Sequence, residues 1–446
     1  MSINFITKLL VLLLLPLLFT TVSCNKPTEP PPPENYALEI IAVDASCSEV
    51  WLEVKSPEIS LPKSFTLTEN GEEKGSVTLD KSDTTIIIEN LLPKKSYKYQ
   101  LKNTEHKSNQ TEITTLDTTS HNFTWQTFEF GEHGHSVLYD VAIIDENNIW
   151  AVGEIYMNDA NGNRDPKAYN AVHWDGNEWK LKRITVLYKG NNITPTLYGV
   201  FAFSPTDIWF SSGVPIKGDG DNWTQYHLFD MGILSQQDGY LTKVWGSSSN
   251  DVYYVGTLGT IAHWNGSSWK KIESGTDVDL LDVWGSPAGK TVWACGYKND
   301  YSTSTLLRIE AGIPEIIYTG FSNNQNNGYF IGPISGIWSN NNYRVYMMNW
   351  DGIYLQKNDH KFYLEKEIAR FSDVGFGIDG SNYNNIFVCG EGFIGHWNGI
   401  SYKEYPELLY TQRIYKNIAV KLNIVCTVGM DYHSPIYRSA VIVLGK

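Results

Sequence analysis

Residues 241–272 have the sequence LTKVWGSSSNDVYYVGTLGTIAHWNGSSWKKI, and this stretch decides the fold. It divides into four short apolar runs separated by polar and glycine-containing segments, a pattern that predicts four antiparallel β-strands. Asn265-Gly266 joins the last two runs, and this dipeptide suits a two-residue hairpin because both of its residues tolerate positive φ. We therefore expect the stretch to form one four-stranded sheet.

The same phrase recurs along the chain, which predicts a repeat architecture. Seven first-strand segments share an apolar anchor residue, namely Val141, Val200, Val244, Val283, Ile337, Val374 and Ile418. A second-strand phrase such as NIW, DIW or DVY follows each of them. The chain is thus expected to be all-β, with a seven-bladed β-propeller over residues 119–446.

The seventh repeat unit has three predicted strands before Lys446. The segment FTWQTFEF at residues 123–130 directly precedes the first unit and has the character of a strand. We expect 123–130 to complete the last blade, because a ring closed in this way leaves no open sheet edge.

The repeat resembles the BNR-like group of bacterial propellers, to which sialidase-type propellers and the photosystem II assembly factor belong. The resemblance covers residues 123–446. It implies the fold but leaves the function open, because one scaffold serves many roles. A sialidase mechanism would need arginines clustered on a substrate carboxylate, and no family motif surrounds the arginines of this chain.

Residues 36–118 contain six runs of alternating pattern that predict strands. The sequence LLPKKSY at 91–97 resembles the fibronectin type III pattern, in which Leu and Pro precede a tyrosine-corner Tyr. The resemblance implies a small β-sandwich, and it implies that the Tyr97 hydroxyl bonds to backbone at a corner. Such a module spaces or presents other domains.

The N-terminus predicts export. In residues 1–23, Lys8 precedes an apolar run that is too short to span a bilayer, as in a signal peptide. TVSC resembles a lipobox, although Thr21 stands where Leu is usual, and the resemblance implies cleavage before Cys24 and its acylation. Residues 24–35 are Pro-rich and predict a stiff tether. The alternative is an ordinary signal peptide with an incidental cysteine.

These features predict a bacterial lipoprotein held to the cell envelope, at the outer membrane or the cell surface. The formal net charge is −14, and no run of basic residues occurs. Because nucleic-acid binding needs clustered Lys and Arg, a nucleic-acid partner is not expected. The later cysteines match no CxxC motif, and Cys295 and Cys389 occupy the repeat position of Val152, which predicts small buried side chains.

Loop length predicts where a ligand binds. In a propeller, the connections from strand two to three and from strand four to the next blade share one face, here called the long-loop face. The other connections form the short-turn face and are short. Long loops usually carry function. The ligand-binding candidates are the long-loop aromatics Tyr297, Tyr301, Trp350 and Tyr432, which suit a glycan or a protein surface. Alternatively, these rings only pin their own loops.

Residues 159–165 form a second candidate site. Asp159, Asn161, Asn163 and Asp165 place oxygen ligands at alternate positions around a glycine, as calcium loops do. An Arg lies inside the loop and the downstream Glu of an EF-hand is missing, so an Asx-rich turn without metal is the alternative.

No catalytic motif was found, and the sequence therefore favours a binding module whose ligand, a glycan or an envelope protein, lies on the long-loop face. The first alternative is a carbohydrate-active enzyme, sialidase-like or of another glycan-processing type, which two carboxylates in a central pocket would favour. The second is an assembly factor for an envelope complex.

Overall fold

The computed structural model describes residues 37–287, 289–320, 332–341, 344–350, 352–356, 362–367, 375–410, 412–432 and 438–446. The predicted signal peptide, Cys24 and the tether lie outside these residues. The described chain is all-β apart from short 3₁₀ turns at Thr257–Gly259 and Pro406–Leu408. None of its helical turns is long and apolar enough to cross a membrane.

Residues 37–114 form an N-terminal unit of two antiparallel sheets. Its strands are β1 (Glu39–Ala45), β2 (Val50–Lys55), β3 (Lys63–Glu69), β4 (Glu72–Leu79), β5 (Asp83–Ile88), β6 (Ser96–Lys102) and β7 (Thr111–Thr114). The sheet orders are β1-β2-β5 and β4-β3-β6-β7. Alternation along β2 turns Val50, Leu52 and Val54 into the core between the sheets. Tyr97 Oη accepts a hydrogen bond from Leu92 N at 2.9 Å, the corner contact predicted for this residue.

The described residues that follow form seven four-stranded antiparallel sheets, and we number them in chain order. Strand β8 (Trp125–Phe130) precedes the first sheet in sequence and belongs to the seventh sheet, and β13 (Val186–Tyr188) and β14 (Asn191–Ile193) form a separate hairpin. The first sheet contains β9 (Val137–Asp145), β10 (Asn148–Ile155), β11 (Tyr169–Trp174) and β12 (Trp179–Lys182); the second contains β15 (Gly199–Ser204), β16 (Asp207–Ser211), β17 (Pro215–Gly218) and β18 (Trp223–Gln225); the third contains β19 (Leu241–Ser248), β20 (Asp251–Gly256), β21 (Ile261–Trp264) and β22 (Trp269–Ile272); and the fourth contains β23 (Leu280–Gly285), β24 (Thr291–Tyr297), β25 (Ser304–Glu310) and β26 (Ile313–Gly320). The fifth sheet contains β27 (Ile334–Trp338), β28 (Tyr346–Asn349), β29 (Gly352–Gln356) and β30 (Phe362–Glu367); the sixth contains β31 (Gly375–Asn382), β32 (Asn385–Gly390), β33 (Ile394–Trp397) and β34 (Tyr402–Glu404); and the seventh contains β35 (Arg413–Lys421), β36 (Ile424–Tyr432), β37 (Arg438–Gly445) and β8.

The seventh sheet closes the ring. Strand β8 pairs antiparallel with β37, from Trp125 opposite Gly445 to Phe130 opposite Ala440. Backbone bonds between Thr124 and Lys446 extend the pairing by one residue, with N···O distances of 2.9 and 3.1 Å. The predicted strand at 123–130 is therefore present and joins the C-terminal strands as expected.

Apolar side chains fill each space between neighbouring sheets. One buried cluster joins the seventh and first sheets, and others join the successive pairs around the ring. Trp209 and Tyr254 pack at 6.4 Å between the second and third sheets, for example, and the Tyr254 hydroxyl donates to Phe210 O at 3.0 Å. Cys295 and Cys389 are buried free thiols in these interfaces, as predicted.

Six of the predicted first-strand anchors lie at equivalent positions opposite the second strand. The sixth prediction, Val374, lies outside the described residues. In that sheet Ile378 takes the equivalent position, opposite Val388. The predicted anchor was wrong because the apolar pattern of 371–378 offers two registers, and only pairing selects one.

The N-terminal unit docks on the short-turn face of the fifth and sixth sheets. Trp51 projects from the outer face of β2 and lies 5.3 Å from the ring of Tyr383, within a buried cluster that includes Trp338. Asn341 Nδ2 donates to Asp44 Oδ2 at 2.7 Å, and Asn384 Nδ2 donates to Asp117 O at 2.8 Å. Tyr383, Asn341 and Asn384 all lie in connections between a first and a second strand.

A buried ion pair fixes this contact. The Arg344 side chain is fully buried and donates to Glu49 through Nη2 and Nε, at 2.6 and 3.1 Å. Its Nη1 donates to Gln356 O at 2.6 Å. A bidentate arginine–carboxylate pair has fixed geometry, and removing one partner would leave the other charge buried without compensation.

We expect Arg344→Met to lower the free energy of unfolding by about 3–5 kcal/mol, because Glu49 would stay buried without its cation. Chemical denaturation of the full chain measures this. Arg308→Met is the matched control: Arg308 pairs with Glu315 at the surface, and such pairs contribute below about 1 kcal/mol.

The double variant Glu49→Leu/Arg344→Met should recover most of the loss, because it removes both buried charges. If Arg344→Met costs no more than Arg308→Met, the ion pair does not hold the two parts together.

Candidate functional site

The two faces of the ring differ as predicted. Strands β9 and β10 are joined by only two residues, and so are β15 and β16, on the short-turn face. On the long-loop face, residues 156–168 connect β10 to β11, and residues 226–240 connect β18 to β19. The central channel opens on this longer face.

A bulge shapes the channel mouth. In six first strands the pairing register shifts by one residue just before the anchor. A bulge re-aims its extra side chain, so two successive residues can face the channel where strict alternation allows only one. The extra residues and Tyr198 of the second sheet form what we call the mouth layer: Tyr139, Tyr198, Thr242, Leu281, Ser335, Phe376 and Lys416.

The residues directly after them form an inner layer: Asp140, Gly199, Lys243, Asp282, Gly336, Gly377 and Asn417. The mouth layer and the four inner-layer residues that are not glycine border a cavity of about 200 Å³ that opens to the long-loop face. The same four inner-layer residues also border a second cavity of about 270 Å³ towards the short-turn face. The inner layer therefore divides the channel.

Charges in the inner layer are paired. Lys243 Nζ lies 2.9 Å from Asp140 Oδ1 and 3.9 Å from Asp282 Oδ1. Burial alone would lower the pKa of Lys243, but the Asp140 and Asp282 carboxylates outweigh it and hold that pKa above its ordinary value. Asn417 Nδ2 donates to Asp140 Oδ1 as well. This network of paired polar side chains lies across the channel.

The channel carboxylates also join neighbouring sheets. Asp140 Oδ2 accepts from Val200 N at 3.0 Å, which links the first sheet to the second. Asp282 Oδ2 accepts from Ile337 N at 2.9 Å, and Asp379 Oδ2 accepts from Val420 N at 2.7 Å.

Two carboxylates of the central channel are thus close together, as the enzyme alternative requires, but both form hydrogen bonds within the fold. Asp140 and Asp282 each bring an oxygen within 4 Å of Lys243 Nζ. Each also accepts a second backbone amide, from Val141 and Val283. Their contacts identify them as structural charges of the ring.

Burial raises the pKa of two of these carboxyls. The pKa of Asp282 rises to about 6 and that of Asp379 to about 7, and burial is the largest cause of both shifts. Lys243 and backbone donors oppose the rise at Asp282, and backbone donors do so at Asp379. Both groups therefore change charge near neutral pH.

Three of the four predicted ligand-binding aromatics form one cluster. Tyr301 lies 5.7 Å from Tyr297 and 4.7 Å from Trp350, between ring centroids. Tyr297 and Trp350 are 6.3 Å apart. The cluster joins the long-loop ends of the fourth and fifth sheets.

Within this cluster Tyr301 is the exposed member, with 48 % of its surface accessible. Its φ is +59°, a conformation that bulky residues rarely adopt, and its amide donates to Lys298 O at 2.7 Å. The loop therefore keeps an unfavourable backbone conformation that presents this ring to solvent. The rings of Tyr297 and Trp350 pack against the ring of Tyr301.

Tyr432 does not join this cluster in any described contact. It ends β36 in the seventh sheet, and the Arg438 guanidinium lies 4.7 Å from its ring centroid. Its place on the long-loop face agrees with the prediction, but its described partner is a neighbouring strand.

The predicted calcium loop contains Asx-turn hydrogen bonds. Asp159 Oδ1 accepts from Asn161 N at 2.8 Å and from Asn163 N at 3.0 Å. Asp165 pairs with Arg183 at 2.6 Å. No group of three His, Cys, Asp or Glu side chains among the described residues could hold a metal ion. Calcium at this loop stays a prediction.

The sequence argument missed the mouth layer. Tyr139, Tyr198, Phe376 and Lys416 lie two residues before the apolar anchor of their strands. Strict alternation would place this side chain on the opposite side of the strand from the side chain of the next residue. In the strands of Tyr139, Phe376 and Lys416 the bulge instead brings both side chains into the channel. Aligning the repeats on the anchors would have found these residues.

No model of a known protein family matches the chain. No curated protein matches it either. Among solved structures, YCF48 bound to D1 peptide is similar at 13 % identity and a TM-score of 0.51, over 73 % of this chain and 96 % of that chain. The WD40 β-propeller domain of Doa1 is similar at 13 % identity and a TM-score of 0.49, over 73 % of this chain and 97 % of that chain. The likeness to YCF48, at this identity, shows the fold alone, and the fold is a β-propeller.

The raised pKa of Asp379 gives a testable dependence of stability on pH. A carboxyl whose folded-state pKa lies above its unfolded value contributes stability at low pH, and this is lost as pH rises through the folded value, here about 7. Asp379→Asn cannot ionise. Between pH 5 and pH 8 its unfolding free energy should rise relative to that of the wild type by about 1–3 kcal/mol.

Chemical denaturation at both pH values measures this change. Asp221→Asn, at an exposed aspartate, serves as the control and should shift with pH as the wild type does. A constant difference between Asp379→Asn and the wild type would show that Asp379 keeps its charge throughout this range.

Proposed function

We propose that this chain is an exported, lipid-anchored interaction module that binds a partner protein on the long-loop face of its propeller. Residues 1–23 serve as the signal peptide, Cys24 as the acylated residue and residues 24–35 as the tether. A module similar to fibronectin type III over residues 36–118 carries a seven-bladed propeller over 119–446. The observation that carries the proposal is the exposed aromatic surface at the end of the ring opposite the N-terminal unit.

The order of the domains along the chain supports an orientation in which the long-loop face is directed away from the anchor. The β1–β2 turn of the N-terminal unit contacts the short-turn face, through Asp44, Glu49 and Trp51. From that turn, β1 runs back to Glu39 over seven residues, a length of about 20 Å. The described chain therefore begins at the end of the unit distant from the ring, and in this proposal a tether preceding it would direct the long-loop face away from the anchor.

Exposed apolar side chains around the mouth support a protein partner. Tyr240 is 67 % exposed, and Tyr198 and Tyr410 are also exposed on this face. Tyrosine gives large contact area at low entropy cost and is enriched where proteins bind each other. The propeller of YCF48, which has the same fold, was solved with a peptide bound. A glycan is the competing ligand, since the same rings could stack on sugars.

Tyr301→Ala and Tyr240→Ala should each weaken capture of the partner from a cell-envelope extract by about 5- to 150-fold, which corresponds to 1–3 kcal/mol for an anchor side chain. Quantitative mass spectrometry of photo-crosslinked complexes measures the capture. Ile313→Ala is the matched control, because Ile313 is 71 % exposed at the opposite end of the same sheet as Tyr301.

Equal losses in all three variants, or no loss in any, would contradict the long-loop face as the binding surface. Capture of glycan instead of protein in the same assay would reject the protein partner. A partner recovered in a fixed one-to-one ratio would identify an assembly role.

The anchor has a separate test. Cys24→Ala should abolish incorporation of labelled fatty acid and release the chain from the membrane fraction, because acyl chains supply the anchorage. Cys47→Ala, at a buried thiol, should keep both the label and the membrane association. Labelling that persists in Cys24→Ala would refute the lipobox assignment.

A further inference from the structure

One cation in the channel mouth forms no ion pair with the described residues. Lys416 is the bulge residue of β35, and its ammonium lies 4.9 Å from the ring centroid of Phe376. Within the described part of the chain, that ammonium forms no ion pair and no hydrogen bond. The other mouth-layer residues are uncharged at neutral pH, which makes Lys416 the single charge of this layer.

The surroundings make this arrangement costly. Lys416 is partly buried, and burial is the main cause that lowers its pKa. The Glu391 carboxylate opposes this effect, and Arg438 adds to it by a smaller amount than Glu391 opposes it. Buried charges in proteins are normally paired, as Lys243 is in the layer beneath. A partly buried ammonium that forms no ion pair within the described chain is therefore available to an anionic ligand.

The cavity around Lys416 suits a short acidic side chain. It has a volume of about 200 Å³, and its floor is the paired network of Asp140, Lys243 and Asn417. Tyr139 and Tyr198 form one wall, with their ring centroids 5.4 Å apart. These rings can contact the methylene groups of an inserted side chain while its carboxylate reaches Lys416.

We propose that the channel mouth is a binding subsite for a carboxylate, and that its occupant is an acidic side chain of a partner protein, paired with Lys416. This inference rests on the proposed function, since it names the chemistry by which the partner is recognised on the long-loop face. The charge-assisted pair supplies specificity, and the exposed tyrosines around the mouth supply contact area.

A labelled hexaglutamate peptide tests the subsite, with fluorescence polarisation of the full chain at low salt as the measurement. We expect binding to the wild type and at least tenfold weaker binding to Lys416→Met, a loss of 1.4 kcal/mol or more. Lys416→Arg should bind within threefold of the wild type because it keeps the charge. Lys421→Met is the matched control, since Lys421 is an exposed lysine of the same strand at the short-turn end.

A second measurement separates loss of binding from loss of folding. Lys416→Met removes a partly buried unpaired charge and keeps the contact with Phe376, so its melting temperature should equal or exceed that of the wild type.

Several outcomes would overturn the inference. They are no hexaglutamate binding to the wild type, equal binding to the wild type and Lys416→Met, or equal binding of hexaglutamine. Oligogalacturonate that competes at equal or lower concentration would replace the protein side chain with an acidic glycan. Partner capture that depends on Tyr301 but not on Lys416 would reject the carboxylate subsite and leave the proposed function standing.

Discussion

Closure of the ring is the constraint on which the rest of the structure depends. The pairing of Trp125–Phe130 with the C-terminal strand makes neighbours of segments about 310 residues apart in sequence, and it covers the last open edge of the seventh sheet. Once the first and seventh sheets are joined, each sheet has an apolar neighbour on both faces. The first strands must then converge on one axis, and their side chains have to share the narrow space there.

The channel shows how the chain meets that constraint. Glycine occurs in the inner layer where neighbouring strands come closest: a Cβ on Gly199 would lie 2.6 Å from Thr242 O, which is too close. Elsewhere, aspartates reach across to the backbone amide of the next sheet, as Asp140 does to Val200. These bonds position neighbouring blades more specifically than apolar packing does, because a hydrogen bond has a preferred distance and direction. As a result, several charged side chains are buried at the centre of the ring, and Lys243 is the cation among them.

The same network explains why carboxylates in a central pocket are weak evidence for catalysis in this chain. A general acid or nucleophile needs an oxygen free to meet the substrate. Asp282 accepts from the amides of both Val283 and Ile337, and its other contact is Lys243. The mouth layer differs, because the Lys416 ammonium forms no ion pair within the described chain.

Local pattern was enough to predict the strands, the closing segment and the place of Tyr301 and Trp350 on the long-loop face, because alternation and loop length are properties of short stretches. Local pattern failed where only the pairing of strands determines which residue faces the core or the channel. Nothing local distinguishes Val374 from Ile378 as the anchor of the sixth sheet, and a bulge that turns Phe376 and Lys416 into the channel appears only once strands are aligned. The Arg344–Glu49 pair joins residues 295 apart, so it has no signal in the sequence of either segment.

That ion pair changes what the N-terminal unit can do. A unit on a flexible joint would let the propeller sample many directions, and the tether length alone would set its reach. Here Trp51 is buried against Tyr383, and Glu49 is held bidentately by a buried arginine. The unit and the ring are therefore expected to move together. A partner that binds at the mouth would meet a surface held in one orientation relative to the N-terminal unit, so little orientational freedom between the two remains to be lost on binding.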